Sequence, residues 1–111
     1  MKPPAHLSAD AKAAWVDLVA GVQGRVVLTT VDAPLLEVAA QQLAIMRDAT
    51  RRVESDGMFV PGPRDTAVQH PALAVQRDAA KALAASLKDL SLTPDTITAR
   101  ERRDQRRAQP R

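Results

Sequence analysis

Apolar residues recur at helical spacing in three stretches of the chain, and these stretches predict its main helices. The first stretch predicts a helix over residues 8–21, with the Ser8 hydroxyl as its N-cap. The second predicts a helix over residues 31–56, with Thr30 as its N-cap. The third predicts a helix over residues 71–90, because a proline suits the first helical position.

The second helix is expected to end at Gly57, because glycine adopts a left-handed backbone without a side-chain clash. The next residues predict a β-hairpin over residues 58–68. Residues 58–60 have the composition of a strand, residues 61–65 supply a turn, and residues 66–68 can return as the partner strand. An isolated hairpin is marginal in water, so we expect the helices or another subunit to cover it.

The two long helices have more apolar surface than one packing partner would cover. Apolar positions of the second helix span about 220° of its circumference, against a stripe of about 100° for one packing contact. The third helix has one seam of large apolar residues and another of small ones. We therefore expect one seam on each helix to pack within the chain and the other between chains. The residues predicted at the oligomer interface are Leu36, Leu43, Met46, Ala72, Val75, Ala79 and Ala82.

This pattern predicts a mainly α fold, an antiparallel helical hairpin with a small β-hairpin between its two long helices. Of the 111 residues, 45% are hydrophobic, but 21 are alanine, and Trp15 and Phe59 are the only aromatic residues. We expect Trp15 in the core, because it lies in the middle of an aliphatic stripe. Alanine buries little area, so at roughly 25 cal/mol per Å² a monomer would have a thin core. Oligomerisation would bury additional apolar area and so stabilise the fold.

Positive charge is concentrated near the end of the chain. Residues 97–111 contain six arginines and two carboxylates, a net charge of +4, whereas the whole chain carries +3. We therefore expect a helical oligomerisation domain over residues 1–96 and an Arg-rich tail over residues 97–111. Thr93 is the predicted N-cap of a fourth helix. That helix should be docked on a partner or frayed, because Ile97 is its last large apolar residue.

The residue types that perform catalysis or bind metals form no recognisable constellation. The chain has no cysteine and no GxxxxGK[ST] loop, so we expect no thiolate metal site and no nucleotide hydrolysis. His6 and His70 lack neighbouring ligands at metal spacing, and His70 precedes the third helix as a capping residue would. We expect a non-enzymatic protein without cofactors. The absence of cysteine favours a cytoplasmic setting. No apolar run reaches the roughly 20 residues that span a bilayer, so we expect no membrane partner.

Several motifs together resemble the phage terminase small subunits. They are PAHLS and AKAAW near the N-terminus, GMFVPGPRDTAVQHPAL around the hairpin, and LSLTP before the Arg-rich end. The similarity is to a short group whose G-[LM]-x-V hairpin is followed by H-P-A, and it covers residues 4–103. It implies an oligomeric ring of about nine subunits. Such a ring is an adaptor in the host cytoplasm that engages double-stranded DNA and regulates the ATPase and nuclease of the large terminase subunit.

The Arg-rich tail is the predicted DNA contact. Arginine binds phosphate oxygens through a planar fork that stays charged, and the tail has no aromatic residue to stack on bases. The predicted nucleic-acid-binding residues are Arg100, Arg102, Arg103, Arg106, Arg107, Lys2, Lys12 and Arg25. Docking on the large subunit and a purely solubilising tail are alternatives. A different function also fits: a dimeric, small helical nucleic-acid-binding module of the antitoxin or transcription-accessory type.

Overall fold

The computed structural model describes residues 1–109, and the chain is mainly helical over that range. Its elements in chain order are α1 (Ala9–Val22), α2 (Ala33–Asp56), β1 (Phe59–Pro61), a 3-10 turn (Pro63–Asp65), β2 (Ala67–Gln69), α3 (Ala72–Asp89) and α4 (Ile97–Ala108). The predicted helical class with one small antiparallel hairpin is confirmed. The last two residues of the predicted tail, 110–111, lie outside the described residues. Within residues 1–109, no helix is both long and apolar enough to cross a membrane.

Helices α2 and α3 form an antiparallel pair. Close to the hairpin, His70 Nε2 lies 2.8 Å from Asp56 Oδ2. Further along, the Gln76 side-chain amide donates a hydrogen bond to the Thr50 hydroxyl at 2.8 Å. Residues later in α3 therefore contact residues earlier in α2, as expected for antiparallel helices. The 24 residues of α2 extend about 36 Å at 1.5 Å per residue.

Small side chains allow α2 and α3 to pack closely within one chain. Ala72, Ala79 and Ser86 recur every seven residues of α3 and are buried, and α2 is the helix against which α3 packs. This corrects the prediction for Leu36, Ala72 and Ala79, which were expected at the oligomer interface. Their own chain covers all three, so they are not available to a neighbouring subunit.

The hydrophobic core lies between α1, the first half of α2 and the end of α3. Trp15 and Leu36 are its largest fully buried side chains, which confirms the predicted core position of Trp15. The indole Nε1 donates a hydrogen bond to the Met1 carbonyl at 3.3 Å. The buried residues of this cluster are Leu7, Ala11, Ala14, Trp15, Leu36, Ala40 and Leu90. The core therefore joins the start of the chain to the end of α3.

Strands β1 and β2 form the predicted hairpin, shifted by one residue along the sequence. Val60 pairs with Val68 at the centre of the register. Gly62 is required at the turn, because a Cβ atom there would lie 2.6 Å from a Val68 methyl group. Phe59 is 58% exposed. The helices of the same chain therefore do not cover the hairpin, contrary to one of the two expectations.

Helices α2 and α4 both begin later than predicted. A separate turn precedes α2, in which the Thr29 N–H donates to Asp32 Oδ2 at 2.9 Å, and the helix starts after Asp32 rather than after Thr30. Before α4, the Thr96 N–H donates to the Thr93 carbonyl at 3.0 Å, and the helix starts at Ile97. In both places the expected cap belongs to a turn and not to the helix itself.

Candidate interaction site on helix α4

Helix α4 has almost no apolar surface with which to dock. Of its 12 residues, Ile97 and Arg100 are the buried ones. A short polar helix is marginal in water unless tertiary contacts stabilise it. Polar contacts must therefore account for the position of α4.

Arg100 provides most of these polar contacts. Its side chain is only 3% exposed, and its Nη2 donates to Asp32 Oδ2 at 2.8 Å and to the Val27 carbonyl at 3.0 Å. Its Nη1 donates to the Leu90 carbonyl at 2.5 Å. Its Nε lies 3.6 Å from Asp104 Oδ2, near enough for charge attraction but too far for a hydrogen bond. One side chain thus ties α4 to the segment before α2 and to the end of α3.

Two carboxylates complete this attachment. Burial by itself raises the pKa of Asp32, but the hydrogen bonds from Arg100 and from the Thr29 N–H, with the arginine charge, outweigh it and lower the pKa below its ordinary value. Asp104, on α4, accepts a hydrogen bond from the Val27 N–H at 3.0 Å. The attachment therefore depends on the ionised carboxylate of Asp32 and on the hydrogen bond that Asp104 accepts.

The predicted nucleic-acid-binding residues occupy different environments. Arg100 is buried, so the structure corrects its assignment as a phosphate contact, and Arg25 forms an ion pair with Glu101 of α4. Lys2 is exposed ahead of α1 and Lys12 is half-buried on α1. Four predicted arginines, Arg102, Arg103, Arg106 and Arg107, are exposed on α4. The structure thus brings Arg25 and the α4 arginines into one region.

The exposed arginines of α4 lie on two faces of the helix. At 100° per residue, Arg102 and Arg106 are about 160° from the face that contacts the protein. Arg103 and Arg107 are about 95° and 55° from that face. The second pair lines a groove of about 560 Å³ whose other wall includes Val27 and Val31.

Exposed apolar side chains form a line along α2. We call Leu35, Val38 and Ile45 the α2 stripe, since their spacing places them on one helical face. Val31 is also exposed, but it lies in the turn before α2. Ile45 and the exposed Val75 of α3 line a second groove, of about 450 Å³. Among the predicted interface residues, Leu43, Met46 and Ala82 are half-buried. Val75 is therefore the predicted interface residue that remains most accessible.

His70 caps helix α3, as the sequence predicts. Its Nδ1 accepts a hydrogen bond from the Ala72 N–H at 3.0 Å. Nε2 consequently carries the proton and donates to Asp56 Oδ2 at 2.8 Å. Within residues 1–109 there is no group of three or more side chains that could hold a metal ion. The contacts of His70 therefore fasten the start of α3 to the end of α2.

Sequence reasoning missed Asp32 and Asp104 as partners of Arg100. A signal was present, because Arg100 follows Ile97 by three residues and so shares its helical face. Any docking of α4 through Ile97 would bury Arg100 as well. Only the tertiary structure shows which carboxylates pair with Arg100.

The protein is a helical hairpin with exposed apolar side chains along α2 and a docked basic helix. A family model described as "Phage terminase, small subunit" matches residues 11–106. The chain therefore belongs to the phage terminase small subunit family, as its motifs indicate. Comparison with curated proteins and with solved structures found no match. The family acts in phage DNA packaging, and its members are generally non-catalytic.

Proposed function

We propose that this protein is a ring-forming adaptor of a phage DNA-packaging motor. In this role it engages double-stranded DNA and recruits and regulates the large terminase subunit. The α2 stripe is the observation that carries the proposal, because several exposed apolar side chains on one face of a helix favour an interaction surface. Membership of the terminase small subunit family supports a role for this surface in phage DNA packaging.

A closed ring needs two different surfaces on each subunit, which meet head to tail. The α2 stripe is one such surface. The hairpin is the second, since Met58 and Phe59 are exposed there and their own helices do not cover them. Contact between the stripe of one subunit and the hairpin of the next would bury both. A two-fold dimer would instead require a surface that complements itself.

Contact with DNA is assigned to exposed arginines of α4, in particular Arg102 and Arg106, which face away from the protein. A guanidinium binds phosphate oxygens in a bidentate way and remains charged at every physiological pH. Repetition around a ring multiplies a weak contact by avidity. Each phosphate contact adds about −0.9 to the slope of log affinity against log salt, so binding should weaken steeply with salt.

The oligomeric state tests this proposal through one matched pair of substitutions. Val38 and Val16 are both exposed valines on helices, but only Val38 belongs to the α2 stripe. Val38→Glu should abolish the ring, because it places a charge in an apolar contact, whereas Val16→Glu should leave the ring intact. Native mass spectrometry at micromolar concentration measures the subunit number, and circular dichroism confirms that both variants are folded.

A wild-type monomer, or a ring that survives Val38→Glu, would contradict the assigned interface. A wild-type dimer would favour the alternative of a small nucleic-acid-binding module. The adaptor role has its own measurement, the ATP turnover of the large terminase subunit with and without this protein. We expect wild type to change that turnover and the ring-deficient variant to lose the effect.

A further inference from the structure

The arginines of helix α4 form two pairs in different surroundings. Arg102 and Arg106 lie opposite the face through which α4 docks, at about 160° from it, and point away from the protein. Arg103 and Arg107 flank the docking face and line the groove between α4 and the segment before α2. Because Arg100 holds α4 in place, the two pairs cannot exchange places by rotation of the helix.

The groove is cationic although two carboxylates also line it. Asp32 is already bound by Arg100 and by the Thr29 N–H, and Asp104 accepts a hydrogen bond from the Val27 N–H. Arg103 Nε lies 3.6 Å from Asp104 Oδ1, near enough for charge attraction but too far for a hydrogen bond. Arg107 forms no ion pair with any residue in the part of the chain that the structure describes. The charge of Arg107 is therefore available to a ligand, and Arg103, which makes no hydrogen bond to Asp104, can still donate hydrogen bonds to one.

The opposite wall of the groove is apolar and exposed. Val31 is 85% exposed, and the neighbouring Val27 side chain is also exposed. A DNA backbone would use the two arginines but would place charged phosphates and sugars beside the valines. A peptide that alternates acidic and apolar side chains would use both walls. The volume of about 560 Å³ is in the range of sites that enclose a few ligand groups.

We propose that this groove binds an acidic, apolar-containing segment of a partner protein, while Arg102 and Arg106 remain available for DNA. The second half of this statement rests on the proposed DNA-adaptor function, but the first half does not. Helix α4 would then hold a protein partner on one face and DNA on the other. The two ligands would bind at the same time instead of competing.

Two double variants test the proposal and serve as controls for each other. Arg103→Ala with Arg107→Ala, and Arg102→Ala with Arg106→Ala, remove the same charge from the same two turns of α4. The probes are a short fluorescein-labelled peptide of repeated Glu-Glu-Leu, the same peptide with Ser replacing Leu, and a short DNA duplex. Fluorescence anisotropy measures affinity on the full chain, and circular dichroism confirms folding.

The groove variant should lose about tenfold or more in affinity for the Leu-containing peptide and change DNA affinity by less than about twofold. The outward-facing variant, Arg102→Ala with Arg106→Ala, should lose about tenfold or more in affinity for DNA and change its affinity for the Leu-containing peptide by less than about twofold. Val31→Ser changes an exposed side chain and should weaken the Leu-containing peptide only, leaving the Ser-containing peptide unaffected. With wild type, saturating duplex should leave the labelled peptide bound.

Four outcomes would overturn the groove assignment. The first two are that wild type does not bind the Leu-containing peptide, or that both double variants lose the same affinity for it. The other two are that wild type binds both peptides equally well, or that DNA displaces the peptide. A separate outcome concerns the proposed function alone. If the outward-facing variant keeps full DNA affinity while the groove variant loses the peptide, the DNA assignment fails and the groove assignment stands.

Discussion

Gly57 ends α2 in a conformation that few other residues adopt. Its φ is 84° and its ψ is 162°, a region of backbone space that is essentially restricted to glycine. Its N–H donates to the Val53 carbonyl at 2.7 Å and so completes the last turn of the helix. The sequence predicts a positive φ at this position, which is confirmed, but the observed ψ differs from that of a left-handed helical cap. The difference matters because ψ directs the chain into β1.

Gly57→Ala should therefore reduce the free energy of unfolding by about 1–3 kcal/mol, since alanine must occupy a strained backbone. Gly21→Ala is the matched control. Gly21 lies within α1 at a negative φ, and an added Cβ would meet nothing within 4 Å. There the same substitution should raise the free energy of unfolding by about 0.5–1 kcal/mol. Urea unfolding followed by circular dichroism measures both changes, and equal effects would refute the strain at Gly57.

At the scale of the element, α4 is the unusual part of the structure. Helices α1 to α3 pack through apolar residues, whereas α4 is held by Arg100 and its carboxylate and carbonyl partners. Breaking a buried ion pair is costly, because the remaining partner keeps a charge with no compensation. The position of α4 should thus depend strongly on Arg100.

Arg100→Met keeps the length of the side chain but removes its charge and its hydrogen bonds. We expect a loss of about 3 kcal/mol in the free energy of unfolding, the low end for a broken buried pair, because Asp32 retains some contact with water. Arg106→Met, at an exposed position of the same helix, should change it by less than about 0.5 kcal/mol. Hydrogen exchange of the α4 amides should increase only in the Arg100 variant. Unchanged exchange there would show that other contacts hold the helix.

The same ion pair predicts a dependence on pH. The pKa of Asp32 is lower in the folded protein than its ordinary 3.8, so its carboxylate contributes full stability above about pH 5. That contribution should decrease as the pH falls below 3.8 and through the folded pKa. The difference in unfolding free energy between wild type and Asp32→Asn should therefore be largest near neutral pH and shrink in acid. A difference that is constant across this range would contradict the ion pair.

Acid sensitivity should be reduced in the Asp32 variant but not abolished. A hydrogen bond from Arg52 lowers the pKa of Asp48, and a hydrogen bond from Thr93 lowers the pKa of Asp95. Both carboxyls remain in the Asp32→Asn protein. They provide an internal reference for the part of the pH dependence that Asp32 contributes.

At the scale of the whole molecule, the chain is elongated. Its principal extents are 72 × 30 × 18 Å, and its radius of gyration is 17.7 Å, against about 13 Å for a compact domain of this length. An elongated helical protein has a large surface relative to its core. Apolar residues such as those of the α2 stripe then remain on the surface, where assembly can cover them.

This shape is measurable on an isolated subunit. Val38→Glu, if it prevents assembly, should give a radius of gyration close to 17.7 Å by small-angle X-ray scattering. A value near 13 Å would mean that the free subunit folds back into a compact form. That result would remove the elongated surface on which the ring proposal depends.

Local signals in the sequence determine the elements of this protein. Apolar spacing places α1 and α3 to within one residue, and Gly57 and His70 mark the end of α2 and the start of α3. The motifs around the hairpin identify the family. These predictions succeed because each depends on residues close together in the chain, whose spacing and backbone preferences are visible without a fold.

The tertiary structure alone decides which surfaces are covered. The sequence shows two seams on α3, but only packing shows that the seam of Ala72 and Ala79 is used within the chain. Arg100 looks like its neighbouring arginines in the sequence, yet its partners Val27 and Asp32 precede it by 73 and 68 residues. Burial and charge pairing depend on distances in space, and residues so far apart in the chain acquire those distances only when the chain folds.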